Sequence, residues 1–151
     1  MLEYRRHDTS LTLQDGLDVY YASRDDLATG RGLSDEAREF FRCHDAAHVV
    51  FGCSTSLSNE AMVKIWSFFG TTAGFSLMRA YRLPESKEIY EKLALREIVT
   101  TTLRSFSLVP RVFVRCRRMH ERWPWSQFES HLGTPLLELR RKYGIEVLTA
   151  P

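Results

Sequence analysis

His44, Asp45 and His48 stand within five positions of one another, and Glu60 follows His48 after eleven intervening residues. Two imidazoles and two carboxylates form a donor set for Zn²⁺, and also for Fe²⁺ or Mn²⁺, with no sulfur ligand required. On an α-helix, residues i and i+4 project from the same face one turn apart, so His44 and His48 direct ring nitrogens at one point. Asp45 lies about 100° round from His44 and borders that face. Glu60 completes a four-donor shell if it opens the next helix and that helix packs back across a short loop. The competing reading is a helix whose histidines are hydrogen-bonded locally. The surrounding "AAHVVF" is apolar, however, and burying two imidazoles and a carboxylate without partners costs several kcal/mol. A cation removes that cost.

Those donors must be held by helices, and the sequence supplies the signals. Ser34 is a good N-cap, with Asp35 and Glu36 in the first turn where they favour the helix dipole. Ala37, Phe41, His44, His48 and Phe51 fall on one face, and Gly52 is a C-terminal stop. Ser58 is the expected cap of a following helix that runs to about residue 81 and carries Glu60. "RLPES" breaks the chain, and a helix over 85–108 is expected to end at or before Pro110. A short basic helix follows over 111–122. Thr134 as cap, Pro135 in the first turn and Gly144 past the end frame a last helix, "LLELRRKY". Residues 10–27 are ambiguous: "SLTL" alternates like a strand, while "LDVYYASRDDLA" suits a helix. No hairpin signal appears. The expected fold is all-α, one domain over residues 1–151, a bundle of about six to seven helices with the metal site between two adjacent ones.

Composition removes several function classes. With 44% hydrophobic and 26% charged residues, the chain has an ordinary globular balance. The start "MLEYRRHDTSL" lacks the apolar run of a signal peptide, and the most apolar stretch, 61–78, is a poor membrane span. A cytoplasmic protein is expected. Cys43, Cys53 and Cys116, an odd count without CxxC spacing, argue against a disulfide framework and read as small buried residues.

Charge is divided unevenly. Residues 1–60 hold eleven acids and six arginines, net −5; residues 61–151 hold eight acids and fifteen basic residues, net +7. Arg111, Arg115, Arg118 and Arg122 form one basic stripe, with Val112, Cys116, Met119 and Trp123 as an apolar stripe beside it. Such an amphipathic helix suits anionic lipid headgroups or a partner enzyme, and equally a solvated face. No nucleic-acid-binding module surrounds the stripe. Met62, Ile65, Trp66, Phe68, Phe69, Phe75, Leu77 and Met78 read chiefly as core. His7, His120 and His131 are isolated.

HDxxH, eleven residues, then Glu resembles the zinc motif of a family of ubiquinone (coenzyme Q) biosynthesis proteins, the fourth of the numbered Coq proteins. The match covers His44, Asp45, His48 and Glu60. The setting "RCHDAAHVVFG" is similar to the family's, and "TPLLELRRKYGI" at 134–145 resembles its closing segment. The chain lacks the family's "LPxGTLGxxY" region and has Asn59 where Gly often precedes the motif Glu. It thus resembles a short or divergent member. The resemblance implies an all-helical protein with a metal, zinc foremost, beside a lipid-binding groove. It implies a role in organising the other quinone-biosynthesis enzymes and in oxidative decarboxylation at carbon-1 of a prenylated aromatic precursor. Expected partners are a prenylated aromatic or lipid ligand, those enzymes, an anionic membrane surface and a second copy of the chain, and no nucleic acid.

Two other functions fit the metal motif. A non-catalytic scaffold with a structural zinc would close its shell with protein donors. A metal-dependent hydrolase fits less well. HD-type phosphohydrolases use H…HD…D, and no Asp follows Asp45. HExxH peptidases place a Glu general base where Asp45 is one methylene short.

Overall fold

In a computed structural model of the chain, residues 2–23, 34–77 and 108–148 are described. Thr12 opens the first helix, α1 (Leu13–Ala22), through a capping box: its hydroxyl accepts from the Asp15 amide at 3.1 Å while the Asp15 carboxylate accepts from the Thr12 amide at 3.0 Å. "SLTL" is therefore no strand. The T-x-x-D signal was present in the sequence, and Leu132 and Thr134 carbonyls accept from the Gln14 and Leu13 amides to close the helix end.

Ser34 caps α2 (Asp35–Val50) as expected, its hydroxyl accepting from the Ala37 amide. The other end is a Schellman closure: the Cys53 amide donates to the His48 carbonyl at 2.7 Å and the Gly52 amide to that of Val49. Gly52 makes this turn with φ of 68°, where a side chain would be strained and would meet Val147. Gly16 serves a different purpose. A Cβ there would lie 2.5 Å from the Val49 side chain, so the glycine lets α1 approach α2 closely.

The next helix, α3 (Leu57–Phe69), departs from expectation at both ends. Its cap is Ser56, not Ser58, and it stops at Gly70 rather than near residue 81. There the backbone turns away to bond with a distant segment, the Trp123 amide donating to Gly70 and the Thr72 amide to Trp123. A short 3-10 turn, Gly74–Ser76, follows. The helix labelled α4 spans 108–118 among the described residues, includes Pro110, and ends before Arg122. After "WPW" comes a 3-10 stretch, Trp125–His131, and then α5 (Leu136–Tyr143). Pro135, not Thr134, holds the N-cap position, and Gly144 turns with φ of 68°. The expected loop at 29–33 and the body of the expected helix over 85–108 lie outside the described residues.

The fold is all-α, and among the described residues two isolated bridges are the whole of its β-type pairing. α2 packs against both α1 and α3. Leu13, Leu17 and Tyr20 of α1, Phe40, Val49 and Val50 of α2, and Met62 and Trp66 of α3 share one core. Phe51 and Trp66 stack at 4.5 Å, locking the end of α2 to α3.

Arg140 is the structural surprise. The sequence places it in a run of basic residues, yet it is fully buried. Its guanidinium donates to the carbonyls of Val50 (2.9 Å), Val49 (3.0 Å), Tyr4 (2.6 Å) and Arg6 (2.6 Å). Burial pushes it down to about 10, which leaves it charged at neutral pH. A cation at the last carbonyls of α2 is where the helix dipole favours one, and it ties that helix end to the N-terminal turn.

Candidate metal centre

The histidines occupy the best-anchored helix of the fold. His44 and His48 lie one turn apart on α2, both buried, with ring centroids 4.8 Å apart. Aromatic rings hold each imidazole: Tyr20 packs on His48 at 5.2 Å and Phe40 stacks on His44 at 5.8 Å. Asn59, buried at the start of α3, accepts from the Ser54 amide and donates to the Ser56 hydroxyl at 2.8 Å. The connection is thereby pinned, and Glu60 emerges from the first turn of α3 facing both histidines.

Glu60 Oε1 stands 3.1 Å from His48 Nε2, and Oε2 stands 3.9 Å from His44 Nε2. Ligand atoms of these three residues all lie within 4.8 Å of one another. The expected pairing across the α2–α3 seam is thus present for His44, His48 and Glu60. Asp45 is buried beside them on α2 but stands outside the converging group.

The three residues are close enough for ion pairing, and the same group could hold a metal ion. Although His48 Nε2 is close to Glu60, the pair is not aligned as a hydrogen bond, and both His48 ring nitrogens are buried without a hydrogen-bond partner. Leaving such groups unmade costs about 1–3 kcal/mol each. One positive ion could satisfy both the imidazole nitrogen and the carboxylate oxygen that stand 3.1 Å apart. Burial by itself raises a carboxyl. The neighbouring His48 overrides this by contact and charge, with His44 and Lys64 adding to it, and holds Glu60 well below its ordinary range. The carboxylate is therefore already in the ligating form.

Cys43 and Cys53 are buried free thiols, pushed up to about 12 chiefly by that burial, and Cys116 behaves alike. None of the three is among the converging donors, in keeping with a sulfur-free site. His131 is not idle: its Nε2 lies 3.1 Å from the Tyr143 hydroxyl and its ring packs on Trp123, a structural role. His7 and His120 are exposed or nearly so. Phe40, which stacks on His44, also lines a cleft of about 400 Å³ together with Trp125, Leu77, Thr72 and Ser76 among others.

The sequence did not point to Asn59 or Arg140 as supports of the site. Asn59 followed by a helix-borne Glu is a common pairing, and Arg140 is marked only by the carbonyls folded around it. Compared with protein families, curated proteins and solved structures, the chain matches none.

Proposed function

We propose that the chain is a metal-binding protein of ubiquinone-type biosynthesis, with its ion held between α2 and α3 by His44, His48 and Glu60. The observation that carries the reading is the convergence of these three donors at the HDxxH, eleven-residue, Glu spacing of that family's motif. A divalent ion there supplies Lewis acidity toward a ring carboxylate and adjacent phenol oxygen, and Fe²⁺ or Mn²⁺ adds redox capacity that Zn²⁺ lacks. Protein groups do the rest. Glu60 offers one carboxylate oxygen toward each imidazole, Tyr20 and Phe40 hold the two rings in orientation, and Phe40 borders both His44 and the cleft. That cleft is of a size for an aromatic head with the start of an apolar tail. On this reading the protein promotes oxidative decarboxylation at carbon-1 of a prenylated aromatic precursor, with O₂ and an external electron donor as co-reactants, the carboxyl leaving as CO₂ and a hydroxyl taking its place, and meets the other enzymes of the pathway.

A second reading is favoured by the complete burial of His48: a structural zinc stapling α2 to α3, on a protein that binds lipid without chemistry. Metal analysis of the purified chain, with mass spectrometry of co-purifying lipid, tests the common premise. One equivalent of metal and a prenylated aromatic are expected; a metal-free chain overturns both readings. His44→Ala separates them. Quinone production lost from a folded protein supports chemistry, whereas production retained in step with the folded fraction supports the staple.

A further inference from the structure

Large apolar side chains are exposed at five of the described positions: Phe69, Phe75, Val109, Phe113 and Val114. They are not scattered. Phe113 of α4 meets Phe69 edge-on at 5.1 Å, and Phe69 in turn meets Phe75 at 6.0 Å, joining the end of α3, the 3-10 turn and α4 in one surface. Val109 and Val114 belong to the same α4. Phe75 leads the group at 71% exposed. Single exposed hydrophobics need no explanation, but a contiguous patch does.

The charge carried on the exposed face of α4 itself has one sign. Arg111, Arg117 and Arg118 of α4 are exposed. Among the described residues that adjoin it, neither 61–77 nor 108–120 contain an Asp or Glu. The basic stripe read from sequence is broken in the structure: Arg115 turns inward toward Glu146 at 3.7 Å, and Arg122 lies past the helix end. What remains is more informative. At about 100° per residue, Arg117 falls between Phe113 and Val114, and Arg111 and Arg118 stand together at one edge. The apolar side chains and the cations thus share the outward half of α4, while Leu108 and Val112 face the core.

We infer that this face docks on an anionic lipid bilayer, with Phe75, Phe113 and the valines seated among the acyl-chain ends and the three arginines on headgroup phosphates. Charge decides the occupant. A second copy placed face to face would set Arg111, Arg117 and Arg118 against their own counterparts. An anionic interface accepts both the apolar rings and the cations. Among the described residues no helix is long and apolar enough to cross a membrane, so the attachment is peripheral. The inference stands independently of the metal and its chemistry.

Flotation of the full chain with vesicles tests it. Binding is expected to phosphatidylcholine–phosphatidylglycerol vesicles. It should fall about fivefold for each of Arg111→Ser, Arg117→Ser and Arg118→Ser, and about a hundredfold when phosphatidylglycerol is left out. Phe75→Ser, at a site too exposed to endanger folding, should weaken binding at least tenfold. The exposed pair Arg141→Ser and Lys142→Ser on α5 serves as the control for bulk charge. Phe75→Trp should show a blue-shifted fluorescence that brominated acyl chains quench. No flotation, an equal loss in the α5 control, an unquenched indole in the Phe75→Trp variant or a face occupied by a stable dimer in solution would each overturn the proposal.

Discussion

Replacing Glu60 by Gln keeps side-chain volume and removes the one anionic donor in the converging group. Two donors about 2.1 Å from a common ion stand roughly 3.0–3.4 Å apart at octahedral to tetrahedral angles. His48 Nε2 and Glu60 Oε1, at 3.1 Å, already have that spacing, whereas His44 Nε2, 3.9 Å from Oε2 in a group that spreads to 4.8 Å, must draw in on binding. The three donors come together only through the packing of α2 against α3, so the ion's affinity acts almost wholly on the folded state. At zinc about 100 times its Kd, the unfolding free energy of the wild type should rise by about 2.7 kcal/mol. For a chain of this size that is about 5–10 °C in Tm. Loss of an outer-shell partner costs about 10–100-fold in metal affinity, and loss of a ligand should cost at least the upper figure. The same zinc concentration would then add about 0.4 kcal/mol, about a degree. Asp45→Asn should keep the full wild-type shift, because its carboxylate lies outside the group. Differential scanning calorimetry with and without zinc decides the matter. If Asp45→Asn abolishes the shift as fully as Glu60→Gln, the four-donor shell read from sequence is right and the three-donor geometry is wrong. If Glu60→Gln retains the shift, the carboxylate is no ligand at all.

Three further outcomes follow from the supports of the site. Arg140→Met removes the donors that four carbonyls share and should cost about 4 kcal/mol, read as a lower urea midpoint; a loss under about 1 kcal/mol would mean water replaces the guanidinium without penalty. Asn59→Ala releases the Ser54 amide and Ser56 hydroxyl and should weaken zinc binding about 10–100-fold by isothermal titration while the fold survives, since Glu60 then loses its placement. Cys53 is raised from 9.0 to about 12 by burial. The folded state holds its proton more tightly than the unfolded one, so this contribution is complete below about pH 9 and declines between about 9 and 12 by up to about 1.4 kcal/mol per pH unit. Urea unfolding of wild type and Cys53→Ala across that range should converge with rising pH; parallel curves would show a thiol that titrates normally.

What could be read from the sequence were features whose partners are near in the chain. Ser34 and Ala37, Gly52 and the last turn of α2, and Gly144 after α5 are local closures, and each stands where the residues predict. The His44–His48 pair belongs to the same class, because i, i+4 spacing on a helix fixes it. Failures fall where a distant partner chooses. Ser56 and Ser58 are equal candidates to cap α3 until Asn59 bonds back to Ser54 and Ser56. Nothing near Gly70 says that α3 must end there; Trp123 does, through two backbone hydrogen bonds. Arg140 reads as one of several exposed basic residues until the carbonyls of Tyr4 and Val49 surround it. Asp45 shows the limit within a single helix: adjacency to His44 in sequence placed it in the shell, yet its direction about 100° round the axis leaves it outside the group of atoms that Glu60 joins.

The gradient of burial across the site says how any ligand must approach it. His48 is fully enclosed between Tyr20 and His44, and the Schellman turn that ends α2 places its hydrogen bond on the His48 carbonyl itself. That end is the least movable part of α2, with Gly16 admitting α1 against Val49 and Arg140 gripping Val49 and Val50. Solvent reaches the donors only at the other side, where the Glu60 side chain is 27% exposed and His44 slightly so. Were an ion held there with a position free for substrate, that position would lie on the Glu60–His44 side, and Phe40, stacked on His44 and lining the cleft, is the ring that borders both. A Phe40→Ala variant distinguishes the two roles of the ion. With a catalytic ion, opening that wall changes the exchange of an added ligand, seen as a perturbed d–d spectrum of the cobalt-loaded protein. With a structural ion, whose remaining position would be closed by a further protein donor, the spectrum should stay as in the wild type whatever is added.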